Sequence, residues 1–489
     1  MENAARPVDD LRKIRIGKLE KIKRLGVNPY PSGVPDKIPV EKARDSIINT
    51  EVNVAGRAVS FRSHGKISFV DLKDESGQIQ LAFKQDVLTR KLWDLLALLD
   101  IGDFLWVTGT LFNTKAGELT ILVSEYELLT KSVRPIPSAK YGLKDEEERY
   151  RQRYVDLFLN EDLKETFRRK ALFWSTVRRF LVDRGFLEVE TPVLEVTAGG
   201  ADANPFVTHH NALNIDLYLR ISMGELWQKR LMVAGFEKTF EIGRQFRNEG
   251  ISKEHLQDYT QMEFYWAYAD YEDSMRLVEE MYKKIAEEVY GTLKFNIGNR
   301  EVDLSKKWER LDYSTILRRK FKINVATETE ASLRKLLKEL DMPTLDVIGK
   351  GRMLDLLWKQ ARKEVTGPAF LVGHPVEVSP LAKRMEGRLG FVERYQVIIA
   401  GSELGNGYSE LNDPIDQRKR FEEQQKMREK GDKEAQMYDF DFVRALEYGM
   451  PPVTGFGVSE RLFAFLEGKP VREAVLFPLL RPEEKNAGY

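Results

Sequence analysis

A cation and a carboxylate two residues apart stand at the end of a strand-like run within residues 240–271. They are Arg247 and Glu249. In an extended segment they point to the same side, because side chains i and i+2 of a strand share one face. An arginine fork binds phosphate through two hydrogen bonds, and a carboxylate accepts from an amine on a base. His255 and Tyr259 follow and add a donor and a ring that can stack on a purine. The pattern predicts a nucleotide site; the alternative is a sheet hairpin with a surface ion pair.

The elements that must position these side chains are a strand, a charged loop and an aromatic return strand. Two further segments join a helix to a strand. GFLEVETPVL (185–194) has the pattern of a helix end running into a strand that contains Pro192. GFGVSERLFAFL (455–466) has the pattern of a glycine-rich strand running into a helix with Arg461.

In their order along the chain, 185–194, 240–271 and 455–466 resemble motifs 1, 2 and 3 of the class II aminoacyl-tRNA synthetases. HHNALNIDLYLRIS (209–222) and GSELGNGYSELNDP (401–414) are similar to the lysine-specific branch, the class II lysyl-tRNA synthetases. The resemblance covers nearly the whole chain, and five ordered segments are far more specific than one short motif. It implies activation of lysine by ATP, followed by acyl transfer to the 3′-terminal ribose of tRNA(Lys).

For the activation step, the resemblance implies that charge neutralisation and positioning carry the rate, with no protein nucleophile. Arg247 and Arg461 would be the catalytic cations on the phosphate side. Glu249 would contact the adenine edge, Tyr259 would stack beneath it, and His255 would reach toward the distal phosphates.

The metal implied by the resemblance is Mg²⁺, in about one to three ions with ATP, held by hard oxygen ligands. Glu403 would bind ATP through this metal. Gln396 stands where the family commonly has a second metal-binding acid, and a neutral amide binds Mg²⁺ more weakly.

The amino-acid pocket implied by the resemblance is acidic. An ammonium at the end of a long alkyl stem is costly to desolvate unless carboxylates receive it. The implied lysine-binding residues are Glu263, Tyr265 and Glu410 at the ε-ammonium, Glu225 with the Gly199–Gly200 turn at the α-amino group, and Asn406 near the carboxylate.

Composition restricts the remaining chemistry. Cysteine is absent, which excludes disulfides, thiolate metal sites and a cysteine nucleophile. Lys and Arg total 77 and Asp and Glu total 77, so contact with RNA must come from local patches. No apolar run approaches the ~20 residues that span a bilayer, and MENAARPVDDLRK has no apolar signal core. We therefore expect a cytoplasmic protein without a membrane segment.

The first part of the chain has the pattern of a small RNA-binding module. Residues 11–24 predict an amphipathic helix with a basic face, either a solvated surface or a phosphate contact. Residues 51–133 predict five short strands and one helix, typical of an OB-fold barrel. The resemblance implies that Phe69, Gln80 and Glu118 read the central uridine of the anticodon; alone, each is better explained as barrel wall or surface.

The predicted fold class is α+β. An N-terminal OB-fold barrel precedes a catalytic domain built on an antiparallel sheet flanked by helices. The expected domains are an N-terminal basic helix and lead-in (1–45), the anticodon-binding domain (46–138) and the catalytic domain (139–489), with a helical insertion at about 322–372. Motif 1 usually builds a two-fold interface in this class, so the resemblance implies a homodimer.

Three other functions compete with the lysine ligase. A sister specificity for aspartate or asparagine needs a cation or an amide partner, and three acids near the pocket argue against it. A paralogue that lysylates elongation factor P lacks the barrel that this sequence predicts. Loss of Arg247 or Arg461 would have favoured an RNA-binding protein without catalysis, but both arginines are present.

Overall fold

The computed structural model describes residues 8–137, 142–250, 255–343, 349–432 and 434–482. The chain divides into two compact units, Met1–Asp145 and Glu146–Tyr489. The domain boundary expected between residues 138 and 139 lies outside the described residues. Within the described ranges, no helix is both long enough and apolar enough to cross a membrane.

The first unit is a five-stranded closed barrel with one helix between its third and fourth strands, which confirms the expected OB-fold. The strands follow one another in the order β1-β2-β3-β5-β4, and β1 pairs with β4 to close the barrel. Its elements are α1 (Val8–Arg24), α2 (Val40–Arg44), β1 (Glu51–His64), β2 (Ile67–Lys73), β3 (Gln78–Lys84), α3 (Arg90–Leu96), β4 (Phe104–Asn113) and β5 (Leu119–Thr130).

Strand β2 illustrates why this sequence closes into a barrel. Its buried side chains alternate with partly exposed ones, as expected when one face of a strand is the core. Ser68, Val70 and Leu72 point inward and are at most 2% exposed. Phe69 therefore lies on the outer face.

The second unit is built on an eight-stranded sheet. Its helices are α4 (Glu146–Arg151), α5 (Arg153–Leu159), α6 (Glu161–Val182), α7 (Glu225–Val233), α8 (Tyr271–Tyr290), α9 (Tyr313–Phe321), α10 (Glu330–Glu339), α11 (Gly349–Ala361), α12 (Pro414–Glu429), α13 (Phe440–Glu447) and α14 (Arg461–Leu466). Its strands are β6 (Leu187–Glu188), β7 (Leu194–Glu195), β8 (Val207–His210), β9 (Ile215–Leu219), β10 (Lys238–Phe246), β11 (Asp258–Ala267), β12 (Lys294–Ile297), β13 (Arg300–Asp303), β14 (Glu309–Asp312), β15 (Ala369–Pro375), β16 (Phe391–Ile399), β17 (Ser402–Ser409) and β18 (Val453–Ser459).

The large sheet runs β14-β15-β16-β17-β18-β11-β10-β6, and only its two edge pairs are parallel. Helices α6 and α8 pack against one face, where Phe173 and Met281 meet Phe264 and Phe456 in the main core. Helix α8 starts at a capping box on Asp270, which satisfies backbone donors of its first turn. The antiparallel sheet flanked by helices is confirmed, and its other face is left to carry a site.

The segment around Pro192 differs from the single strand expected there. It forms two strands of two residues each, β6 and β7, with the proline between them. Proline has no backbone N–H to donate to a sheet ladder, so a continuous strand is interrupted at this position. Strand β6 joins the edge of the large sheet, whereas β7 joins β9 and β8 in a small three-stranded sheet.

Candidate active site

A cavity of about 360 Å³ opens on the face of the large sheet away from α8. Strand β11 lines it with alternate side chains, Tyr259, Gln261, Glu263 and Tyr265, while the intervening Phe264 belongs to the core. Strand β18 lines it with Gly455, Gly457 and Ser459 in the same alternation. The site therefore follows from the two-residue period of its central strands.

Strand β17 lines the cavity with residues whose spacing is not a simple alternation. Glu403, Asn406 and Tyr408 on β17, and Glu410 directly after it, all line the cavity, although Glu403 has the opposite parity. The register with β16 shifts between Val397 and Ile398, which is the signature of a β-bulge. The extra residue turns both Glu403 and the later positions to one side.

One end of the cavity carries the cationic and stacking residues. Arg247, Glu249, His255, Tyr259 and Arg461 all line it, from the β10–β11 hairpin and the start of α14. The Cζ atom of Arg247 lies 5.8 Å from the centre of the Tyr259 ring. The Arg247 Nε atom donates to the Ile221 carbonyl oxygen at 3.3 Å, which fixes the guanidinium while its remaining donors face the cavity.

Gln257 holds the two sides of the hairpin loop together. Its carbonyl oxygen accepts from the Arg247 backbone N–H at 2.8 Å, and its Nε2 donates to the Glu249 carbonyl oxygen at 3.4 Å. Burial opposes the charge of Arg247, but Tyr259, Glu249 and Glu263 outweigh it and raise the pKa of the guanidinium. The arginine therefore stays charged in a partly closed site.

The other end of the cavity is acidic. Glu225, Glu263 and Glu410 are each at most 6% exposed. The Glu263 carboxylate accepts from the Tyr265 hydroxyl at 2.9 Å, the Gln261 amide at 2.7 Å and the Met223 backbone N–H at 3.1 Å. Burial, reinforced by the charge of Glu225, raises the pKa of Glu263 to about 7.

Glu263 has no lysine or arginine as an ion-pair partner among the residues that the structure describes. The Glu263 carboxylate therefore accepts hydrogen bonds only from neutral donors, and burial favours its protonated form. A carboxylate held in this way is ready to receive a cation from outside the chain.

Two glycines bring the backbone against the acidic end. Gly200 has φ +88°, and a Cβ there would lie 2.5 Å from the Ser222 Oγ and 2.9 Å from the Glu225 Cβ. At Gly455 a Cβ would lie 2.3 Å from a Glu410 carboxylate oxygen. Both contacts are too short for any side chain, so these glycines keep the acidic end open. Gly199 is also tightly enclosed, by Leu226.

Glu403 and Gln396, the two positions considered for a metal, have different surroundings. Glu403 lines the cavity and lies 3.4 Å from an Arg362 guanidinium nitrogen. Gln396 is 5% exposed, and its Oε1 accepts from the Trp358 indole N–H at 3.1 Å. No cluster of three or more metal-binding side chains occurs in the described ranges. The side chains fit an ion held by one protein carboxylate and the phosphates of a nucleotide.

Three residues of the site were not found from the sequence. The Tyr408 hydroxyl donates to Glu225, and the Arg394 Nε donates to Asn406 Oδ1 at 2.8 Å. Lys229 forms ion pairs with Glu225 and Glu410. The i,i+4 spacing of Glu225 and Lys229 on one helix was a signal that could have revealed the lysine.

A second candidate surface lies on the barrel of the first unit. Phe69 on β2, Gln80 on β3 and Glu118 just before β5 are brought to the outer face of three neighbouring strands. The Thr120 hydroxyl links Gln80 to the backbone of Glu118, because it lies 3.1 Å from Gln80 Oε1 and 3.0 Å from the Glu118 carbonyl oxygen. A partly exposed ring beside an amide and a carboxylate suits a stacked, hydrogen-bonded base.

Comparison with known proteins places both units. Residues 145–481 match the family model for tRNA synthetases class II (D, K and N), and residues 52–129 match the OB-fold nucleic acid binding domain. A protein of Thermosipho africanus named lysine–tRNA ligase is 43% identical over 485 residues, covering 97% of this chain and 96% of the relative. Lysine–tRNA ligases of Thermotoga maritima and Carboxydothermus hydrogenoformans are each 42% identical, over 98% of this chain and 98% and 99% of the relatives.

These matches extend over both units and include the strands that line the cavity and the outer face of the barrel. The chain therefore belongs to the class II tRNA synthetases of the D, K and N group, within the family of lysine–tRNA ligases.

Proposed function

We propose that this chain activates L-lysine with ATP, releases pyrophosphate, and transfers the lysyl group to the 3′-terminal ribose of tRNA(Lys). The observation that carries the specificity is the buried set of three acids, Glu225, Glu263 and Glu410, at one end of a cavity whose other end holds Arg247 and Arg461. Aspartate would bring a carboxylate to this acidic end, where the three acids would repel it. Asparagine would bring a neutral amide, which lacks the positive charge that these acids pair with.

Activation joins two anions, because the lysine carboxylate attacks the α-phosphate of ATP. Arg247 lines the cavity beside Tyr259, and we assign its guanidinium to hold the attacking carboxylate beside the α-phosphate. Arg461, at the start of α14, supplies the second cation on the phosphate side. Charge developing on the phosphate oxygens is stabilised by these preorganised donors.

The nucleotide is held by the remaining residues of the cationic end. Tyr259 offers its ring to the adenine, Glu249 accepts from the adenine amine, and His255 extends toward the distal phosphates. Glu403 would hold Mg²⁺, which would neutralise part of the charge of the ATP phosphates. Because Gln396 is engaged by Trp358, Glu403 is the protein carboxylate that we assign to this ion.

At the acidic end, Glu263 with Tyr265 and Glu410 receive the ε-ammonium, and Glu225 beside the Gly199–Gly200 turn receives the α-amino group. Asn406 contacts the substrate carboxylate. Since Asn406 Oδ1 already accepts from Arg394, its amide N–H groups are those left to face an anion.

The direct test is aminoacylation of tRNA(Lys) with labelled lysine, ATP and Mg²⁺. We expect lysine to be attached to the 3′ end of tRNA(Lys) and not to tRNA(Asp) or tRNA(Asn). Charging of either of these with its own amino acid would replace the proposal by the sister specificity. We place the reaction in the cytoplasm, where its three substrates occur together.

Anticodon reading is assigned to the barrel, residues 46–138, with Phe69 stacking on a base and Gln80 and Glu118 bonding its edges. Phe69→Ala is expected to raise the KM for tRNA(Lys) roughly 10- to 100-fold, because a stacked base contributes about 1–3 kcal/mol. Its rate of ATP–pyrophosphate exchange, which needs no tRNA, should match that of the wild type.

The control for this variant is Ile101→Ala. Ile101 is 39% exposed in the turn before β4, outside the face formed by β2, β3 and β5. An unchanged KM for tRNA in Phe69→Ala, or an equal increase in Ile101→Ala, would remove Phe69 from the anticodon contact.

A homodimer is proposed for the surface around motif 1. Apolar side chains are exposed there on and beside β6, β7, β8 and β9, among them Leu194 (48%), Val196 (69%) and Val207 (60%). Exposed apolar side chains of this kind support an interaction site in this segment. Val196→Glu is expected to shift the sedimenting species from dimer to monomer, because a carboxylate would be buried without a partner.

Leu389→Glu is the matched control for the dimer experiment. Leu389 is 96% exposed and lies outside the motif 1 segment. Monomeric wild-type protein at micromolar concentration, or a dimer that survives Val196→Glu, would count against this interface.

A further inference from the structure

An ammonium group is buried directly behind the acidic end of the cavity. Lys229 lies on α7, one turn after Glu225, and its side chain is 1% exposed. Its Nζ atom lies 2.8 Å from Glu225 Oε1 and 2.5 Å from Glu410 Oε2. Glu225 and Glu410 line the cavity, whereas Lys229 is not among the described residues that do so. The lysine therefore contacts both acids from the protein side.

The surroundings of Lys229 make its ammonium depend on the two carboxylates. Apart from the two carboxylates, its ammonium is near the rings of Tyr408 and Phe442, at 5.4 and 5.9 Å from their centres. Phe442 belongs to a buried apolar cluster. A buried ammonium in such a place is stable only while carboxylates pair with it, and the reverse holds for the carboxylates.

The charged side chains buried at the acidic end give the pocket a net negative charge. Glu225, Glu263 and Glu410 carry three negative charges when ionised, and Lys229 returns one positive charge. The resulting charge of minus two balances the charge of plus two on the two ammonium groups of free lysine. Without Lys229, three carboxylates would share one buried space, where like charges suppress ionisation.

We propose that Lys229 is a positioning residue for substrate selection: its ammonium holds Glu225 and Glu410 in place and offsets one of the three acidic charges, which matches the pocket to a substrate with two ammonium groups. The proposal rests on the proposed function, since it assumes that the cavity binds lysine. It adds a residue that does not touch the substrate and acts through the two acids that do.

The pKa values agree with this geometry. Burial raises the pKa of Glu410 well above its ordinary value and Glu225 adds to the rise, whereas Lys229 opposes it. The pKa of Lys229 is itself raised, because Glu225 and Glu410 outweigh the effect of burial. Removing the ammonium would therefore raise the pKa of Glu410 further.

The test is Lys229→Met, which keeps the length of the side chain and removes its charge. In ATP–pyrophosphate exchange at pH 7, we expect the KM for lysine to rise roughly 100-fold, because breaking a buried ion pair leaves unpaired charges. The KM for ATP should change less than threefold.

Lys283→Met is the matched control. Lys283 on α8 also pairs with a glutamate one turn earlier, at 2.6 Å, but it is 28% exposed and outside the site. We expect its kinetics to equal those of the wild type. Thermal unfolding of all variants identifies any change that comes from the fold.

A double variant keeps the proposal testable if Lys229→Met does not fold. Lys229→Met with Glu410→Gln removes both members of one ion pair and restores a pocket charge of minus two. We expect its KM for lysine to lie at least 10-fold below that of Glu410→Gln alone, because Glu410→Gln by itself leaves the buried ammonium of Lys229 without one of its carboxylate partners.

Three results would overturn the proposal: equal increases in KM for lysine and ATP, a KM for lysine in Lys229→Met equal to that of the wild type, or a double variant whose KM for lysine is no lower than that of Glu410→Gln. Wild-type exchange with lysine and an unaffected Lys229→Met would remove this inference alone. Wild-type preference for an amino acid with one ammonium group would remove both it and the proposed function.

Discussion

Replacing Arg247 with alanine is expected to lower kcat/KM for ATP–pyrophosphate exchange roughly 10³-fold. Its guanidinium is fixed by the Ile221 carbonyl oxygen and by its contact with Tyr259, so little reorganisation is needed when charge develops on the phosphate. Both reactants are anions, and removal of the cation between them affects the transition state more than either ground state. Steady-state exchange at saturating Mg²⁺ measures the loss.

Two further variants separate position from charge. Arg247→Lys should recover only a small part of the activity, because an ammonium cannot bridge a carboxylate and a phosphate with a planar fork. Arg244→Ala, three residues earlier on β10, removes a half-exposed arginine that pairs with Asp258 at 2.8 Å and does not line the cavity. We expect it to stay within about threefold of the wild type. Comparable losses in Arg244→Ala and Arg247→Ala would contradict the assignment.

Replacing Glu263 with glutamine is expected to raise the KM for lysine roughly 100-fold and to leave the KM for ATP unchanged. The carboxylate is buried and satisfied only by neutral donors, so the ε-ammonium of the substrate would be its cationic partner. Glutamine keeps the shape and loses the charge, and a charged hydrogen bond in a buried site is worth about 1.5–3 kcal/mol or more. Glu393→Gln, a half-buried acid on β16 outside the cavity, is the control.

The same residue predicts a pH dependence. The raised pKa of Glu263, about 7 in the free site, means that the carboxylate is ionised above pH 7 and protonated below it. Lysine binds the ionised form, so its KM should rise about tenfold for each pH unit below 7. Glu263→Gln should lose this slope. A wild-type KM for lysine that is flat between pH 5.5 and 7 would be inconsistent with this role of Glu263.

Much of the fold could be predicted from the sequence because its strands repeat every two residues and its turns carry glycine, proline and acidic residues. The five strands of the barrel and the helix between the third and fourth follow from that pattern alone. The break at Pro192 into two short strands was not anticipated. Which sheet each piece joins depends on partners such as β9 and β10, which lie far along the chain.

The candidate site was partly predictable for the same reason. Tyr259, Glu263 and Tyr265 alternate on one strand, so finding one of them on the cavity side places the others. The burial of Gln396 was not predictable, because its partner Trp358 comes from a helix 38 residues earlier. The bulge that turns Glu403 toward the cavity is likewise set by pairing with β16.

Lys229 illustrates what pattern reading misses. An i,i+4 glutamate–lysine pair on a helix usually lies on a solvated surface and contributes little. Only the packing of α7 against β10, β11 and α13 buries this pair and adds Glu410 as a third member. Its role depends on tertiary structure, although its spacing was visible in the sequence.

ATP–pyrophosphate exchange with each of the twenty amino acids, without tRNA, tests the central claim most directly. The acidic end of the cavity and its arginines predict strong exchange with lysine and background rates with the other nineteen. Strong exchange with aspartate or asparagine would contradict the assignment of Glu225, Glu263 and Glu410 while leaving the fold in place. Absence of exchange with every amino acid at ample Mg²⁺ would contradict the proposed activation chemistry itself.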